Sequence, residues 1–157
     1  MKQFFFIITF LFFSYFFANP AKACFCGLES FNSANNSAAT IFVGKVVSIE
    51  QLDIHKERVI LEVKQSWKGE ATNSTEVFTR TSYDDRCGYY FKAGKSYLIY
   101  TFKNNDGTFW VSACSRTRPR KVRQAKGDIK KLNERIKEGK TKTNLSVLTN
   151  SRTNQWT

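Results

Sequence analysis

Histidine and proline are nearly missing from this chain of 157 residues, which holds one His, two Pro, one Met and four Cys. Imidazole chemistry would fall to His55 alone, and that residue sits in the polar stretch Asp53-Ile54-His55-Lys56-Glu57, where a surface position is expected. No Cys-x-x-Cys occurs, so a finger-type zinc site lacks its thiolate pair as well as its imidazoles. Gly-rich phosphate loops and the Gly-x-Ser-x-Gly elbow are absent too. The adjacent carboxylates Asp84 and Asp85 stand beside Arg86, a pattern of solvated turns rather than of a converging acid–base pair. The expectation is a protein that is not an enzyme and holds no cofactor. Beyond residue 23 no apolar run approaches the roughly 20 residues that cross a bilayer as a helix.

The first 23 residues are different. They take nine of the chain's 24 aromatic residues, in an apolar run from Phe4 to Ala18 broken only by Thr9 and Ser14. Lys2 precedes the run, and Asn19-Pro20-Ala21-Lys22-Ala23 follows it. A basic start, a short apolar core, a breaker and small residues describe a secretory signal peptide over 1–23; a membrane anchor needs a longer span. Cleavage after Ala23 would leave 134 residues beginning at Cys24. The expected location is extracellular, or periplasmic in a Gram-negative cell. That length suits one domain, here 24–140, with 141–157 showing no pattern and expected to be a loose tail.

Charge is unevenly placed. Residues 24–115 hold ten Lys/Arg and ten Asp/Glu, whereas 116–142 hold twelve Lys/Arg and three acids. A polyanion or an anionic cell surface would therefore meet the basic segment, at Arg116, Arg118, Arg120, Lys121, Arg123, Lys126, Lys130 and Lys131. No specific nucleic-acid partner is expected. The plainer reading of these cations is a solvated face.

Cys24, Cys26, Cys87 and Cys114 all survive cleavage, and an even number in an exported chain argues for disulfides. A Cys24–Cys26 bridge would close a very tight, strained ring. Both remaining pairings tie the amino terminus to the body by two long-range bridges, and the sequence does not choose between them.

Ile41–Glu50 is rich in β-formers, with Gly44 at an expected bulge or bend. Glu57–Ser66 alternates with period two. Thr75–Thr81 is a shorter candidate strand. Ser96–Lys103 and Thr108–Ala113 flank Asn104-Asn105-Asp106-Gly107, a hairpin signal. Five strands without crossover helices suggest a mainly β protein built on a curled antiparallel barrel. After Pro119, Val122, Ala125, Ile129, Leu132 and Ile136 recur at steps of three and four, predicting one amphipathic helix over about 119–138. Gly127 weakens it midway, and Asp128 is placed to cap a second piece. Asn35, Asn73 and Asn144 begin N-x-S/T patterns, which matter only in a glycosylating host.

The mature terminus, Cys24-Phe25-Cys26-Gly27-Leu28, offers one unusual chemistry. Processing would release an α-amino group on Cys24, whose ordinary pKa is about 7.7–8.0. That amine and the Cys24 carbonyl oxygen can close a five-membered chelate on a metal, even with the sulfur in a disulfide. On a catalytic zinc with an open position they would displace the water. Spacing alone favours the plainer reading, a structural staple that touches no metal.

At these residues the chain resembles the tissue inhibitors of metalloproteinases, in the netrin-like group of OB-fold modules. The resemblance rests on Cys-x-Cys after the cleavage site, then Ala39-Thr40-Ile41-Phe42-Val43-Gly44-Lys45-Val46-Val47 and Val63-Lys64-Gln65-Ser66-Trp67-Lys68-Gly69. Cys87-Gly88-Tyr89, Tyr97-Leu98-Ile99 and Asp106-Gly107 leading to Cys114-Ser115 follow in order. It covers about residues 24–126. It implies a five-stranded antiparallel Greek-key barrel, bridges Cys24–Cys87 and Cys26–Cys114, and a secreted inhibitor that meets a zinc metalloprotease. Cys24 would chelate the protease's zinc, and Phe25, Cys26, Gly27, Leu28, Asp85, Arg86 and Cys87 would form the contact ridge.

The chain also departs from the animal members. Four cysteines leave no third bridge in this domain and no second cysteine-rich domain. Phe25 stands where they carry a small hydroxyl residue, and Gly27-Leu28 where they carry Val-Pro. A two-bridge chain looks more like the bacterial relatives. Two other function classes are compatible with the sequence. One is a non-inhibitory binding module using the basic helix. The other is a lipoprotein acylated on Cys24, which Ala21-Lys22-Ala23 fits poorly because Lys22 is large and Ala21 is not the usual Leu.

Overall fold

The structure is a computed structural model and describes residues 24, 26–27, 29–69, 71, 73–81 and 87–153. Residues 1–23, expected to be a signal peptide, lie outside the described residues, as do Phe25, Leu28, Asp85 and Arg86.

A short helix α1 (Phe31–Ser37) leads into β1 (Thr40–Gln51), β2 (Lys56–Lys68), β3 (Ser74–Arg80), β4 (Ser96–Lys103) and β5 (Phe109–Trp110). A two-residue strand β6 (Arg118–Pro119) and a long helix α2 (Arg123–Thr153) complete the order. The strands run β1-β2-β3-β5-β4, and β1 pairs again with β4, closing a five-stranded OB-like barrel with β6 outside β4. The expected all-antiparallel barrel is corrected at one seam. Phe78 of β3 and Trp110 of β5 pair in parallel, because β5 returns beside β3 in the same direction to close the sheet. Strand β5 is also shorter than Thr108–Ala113. Past Trp110, Val111 N–H still donates to the Phe78 carbonyl of β3, and the chain then turns to another segment, Ala113 N–H donating to the carbonyl of Cys87.

The start of strand β1, Ile41 to Val43, reads as a continuous apolar run because both faces are covered there, whereas Val47 to Gln51 are exposed. Ile41 and Val43 point to the helices, with Leu98, Tyr100, Ala125 and Leu132. Phe42 and Val46 point into the barrel, with Val59, Leu61, Val77, Ile99 and Val111. Gly44 pairs with Val63 on one side and Tyr97 on the other, at a register shift after Val43. A Cβ there would come within 3.1 Å of the Phe42 ring and 3.3 Å of Leu61, so the bend expected at Gly44 is also a close approach.

Helix α2 starts at Arg123 rather than near 119, because Arg118 and Pro119 are drawn into pairing with Leu98 and Tyr97. Proline at this edge forfeits no interior ladder bond. Gly127 does not interrupt the helix, and 141–153, where the sequence shows no apolar pattern, continues it to Thr153. Extending a formed helix fixes one residue per added bond and needs no new nucleus. The stripe docks through its middle: Ala125 and Leu132 are buried and Ile129 packs on them, while Val122 and Ile136 stay exposed. Asn133 adds a polar clasp, its Oδ1 accepting from Trp67 Nε1 at 2.8 Å and Gln65 Nε2 at 3.0 Å. Lys68 Nζ reaches the other helix, donating to the carbonyls of Asn35 and Asn36 near its carboxyl end.

Candidate functional site

The candidate site is the amino-terminal ridge. Two disulfides hold it, Cys24–Cys87 and Cys26–Cys114, with Cα separations of 5.5 and 5.0 Å. The two anchor points are neighbours: the Cys87 carbonyl accepts from Ala113 N–H at 2.8 Å, and Gly88 bridges Ser112. Cys24 and Cys26, on one short segment, are thus laid across two chain segments already hydrogen-bonded to each other. Cys24 is exposed, Cys26 half-buried and Gly27 exposed, with no atom within 4 Å of a would-be Gly27 Cβ.

Local backbone chemistry explains the Cys-Gly pair. Cys87 takes a left-handed conformation (φ 62°), and Gly88 lies against the end of β3, where a Cβ would sit 1.9 Å from the Arg80 carbonyl oxygen. Tyr89 then turns back: its N–H donates to the buried Thr79 hydroxyl at 2.7 Å. Burial pushes its phenol up to about 12, the Tyr97 ring adding to the shift and Arg118 opposing it.

Behind the ridge, Glu29 accepts from the Ser33 and Ser37 hydroxyls, each at 3.1 Å, and its carbonyl accepts from Arg116 Nη1 at 2.6 Å. The same guanidinium binds Asp128 of α2 through Nε to Oδ2 (2.6 Å) and Nη2 to Oδ1 (2.9 Å). The hydrogen bond to Asp128 raises the Arg116 pKa further, against the opposing effect of burial. Tyr100 lies against the pair, and burial, then the charge of Asp128, push its phenol up.

Two expectations are corrected here. Arg116 is not basic surface but the hub of a largely buried network, and Arg118 turns back to the carbonyls of Ser115 and Thr117. Asp128 caps no second helical piece, because it lies within one continuous helix and is taken by Arg116. Arg120, Lys121, Arg123, Lys126, Lys130 and Lys131 are exposed as expected, with Lys131 Nζ 5.2 Å from the Phe31 ring centroid. His55 is exposed in the β1–β2 turn. Sequence reasoning missed Glu29 and Asn133, which carry no pattern of their own. Asp128 did leave a trace: it lies three residues after Ala125 and next to Ile129, an acid inside the apolar stripe.

Among the described residues, no group of three or more His, Cys, Asp and Glu gathers to hold a metal ion, and no helix is long and apolar enough to cross a membrane. The two disulfides are compatible with an oxidising compartment. Compared with known proteins, the chain matches no family model and no curated protein.

Proposed function

We propose that the protein is a secreted inhibitor of zinc metalloproteases, resembling the tissue inhibitors of metalloproteinases, that caps the target's zinc with the α-amine and carbonyl oxygen of Cys24. The observation that carries this reading is the double stapling of the terminus: two cysteines two residues apart, bridged to two adjacent, hydrogen-bonded segments, with Cys24 exposed at the tip. A terminus fixed in this way loses little freedom on binding, so more of the chelation energy appears as affinity. Amine and carbonyl would replace the zinc-bound water, removing the nucleophile that the protease needs. Phe25 would enter the pocket beside the metal, with Gly27, Leu28, Asp85 and Arg86 along the contact ridge. The test is inhibition of a panel of secreted zinc proteases by the chain beginning at Cys24.

A second reading, a netrin-like module that binds polyanions or an anionic cell surface without inhibiting, is favoured by the six basic side chains from Arg120 to Lys131 that stay exposed. Lys/Arg-to-Gln changes on that face test it through the salt dependence of binding to heparin-like surfaces.

A further inference from the structure

A groove of 560 Å³ lies between the 89–95 loop, which follows the Cys87-Gly88 corner, and the turn that follows β6. Tyr89, Tyr90, Lys92 and Lys95 line one wall, and Arg120 and Lys121 the other. Both walls are tied to the barrel. Lys92 N–H donates to the Tyr97 hydroxyl at 3.0 Å, Gly94 N–H to the Val46 carbonyl at 2.8 Å, and Arg120 N–H to the Ser96 carbonyl at 2.9 Å. Among the described residues no acidic side chain lines the groove, and all four cations are solvent-exposed. Among the described residues, none of the four makes an ion pair. Tyr90 is 64% exposed, a large aromatic ring left in water beside them.

We infer that this groove binds a short segment of an anionic oligosaccharide, with Lys92, Lys95, Arg120 and Lys121 holding sulfate or carboxylate groups and Tyr90 covering a sugar face. Four cations on two fixed walls, with no acid among the described lining residues, make a local positive field that concentrates anions. A groove of this volume takes several linked sugar rings, whereas one inorganic anion leaves most of it unfilled. A flat ring beside cations suits a ligand that alternates C–H-bearing ring faces with charged substituents. The stacked bases and phosphates of a single-stranded nucleic acid offer similar chemistry. The disulfides favour the glycan, since they belong to compartments where nucleic acid is a rare partner. The inference does not rest on protease inhibition: a chain that inhibits nothing and binds the glycan leaves it standing.

The test is calorimetric titration of the mature chain with a sulfated heparin-derived hexasaccharide, with inorganic sulfate and a single-stranded oligonucleotide of equal charge as the other probes. The fourfold change Lys92→Gln, Lys95→Gln, Arg120→Gln and Lys121→Gln should weaken hexasaccharide binding at least about tenfold. A control removing the same charge from the helix, Arg123→Gln, Lys126→Gln, Lys130→Gln and Lys131→Gln, should weaken it less than about threefold through the diffuse field alone. Tyr90→Ala, which leaves the charge intact, should weaken binding about fivefold or more with an unchanged salt slope. Equal loss in the two fourfold variants, no loss in Tyr90→Ala, tighter binding of the oligonucleotide, or no hexasaccharide binding by the unaltered chain would each overturn the inference.

Discussion

Arg116 and Asp128 grip each other through two hydrogen bonds of 2.6 and 2.9 Å, with their side chains only 14% and 4% exposed. Through its remaining nitrogen Arg116 also holds the Glu29 carbonyl, so one guanidinium joins the segment behind the ridge to helix α2. Asp128→Ala strands a buried cation and should cost about 3–5 kcal/mol in urea unfolding. Replacing both partners, as Arg116→Met with Asp128→Leu, should cost clearly less, because no unpaired charge is left inside. Equal losses in the single and double variants would show that packing, not the ion pair, holds this junction.

The bridges close loops of similar size, with sequence separations of 63 and 88 residues. Loop entropy varies only with the logarithm of length, so removing either pair as Cys→Ser should cost a similar amount, about 2–5 kcal/mol. Thermal melts of the two double-serine variants check this. Non-reduced peptide mapping should recover Cys24 with Cys87 and Cys26 with Cys114.

Gly88→Ala should be among the more damaging single-methyl changes in the chain. The new carbon meets the Arg80 carbonyl oxygen at 1.9 Å, against backbone rather than a side chain able to yield. Overpacking of this kind costs about 1–3 kcal/mol, read as a fall in the urea midpoint. Gly127→Ala is the contrasting control: nothing lies within 4 Å, and the site is helical, so it should gain about 0.5–1 kcal/mol.

Alkaline pH should destabilise the fold. Burial raises the phenol of Tyr89 to about 12 and pushes that of Tyr100 up as well. A raised folded-state pKa means that the unfolded chain gives up these protons first. The stabilisation is therefore complete below about pH 10 and is lost as pH rises through the folded values. Urea midpoints should fall between about pH 10 and pH 12, and the phenol absorbance of the folded chain should titrate late. Midpoints that hold steady across that range would contradict the burial of these rings.

Much of the barrel is legible in the sequence because its strands carry strong local patterns: the alternation from Val59 to Val63, the Asp106-Gly107 turn, and the doubly buried run from Ile41 to Val43. The parallel seam at Phe78 and Trp110 is not legible, since direction is fixed by how the barrel closes and not by any local residue. The limits of α2 fail for the same reason: Pro119 marks a break, but only the pairing of Arg118 with Leu98 shows that the break is a strand. At the ridge, the cysteines announce themselves, whereas composition alone counted Arg116 as a surface charge. Its buried partner Asp128 lies twelve residues away, on the helix that packs above it.

The most direct test of the inhibitor reading compares the mature chain beginning at Cys24 with the same chain carrying one extra alanine before it, against the same secreted zinc proteases. The extension acylates the chelating nitrogen and leaves both bridges and the barrel in place, so melting curves should coincide. Chelation predicts inhibition by the Cys24 form, a weaker but measurable effect from its Phe25→Ala variant, and none from the extended form. Equal inhibition by the mature and extended forms, or none by either, would contradict it.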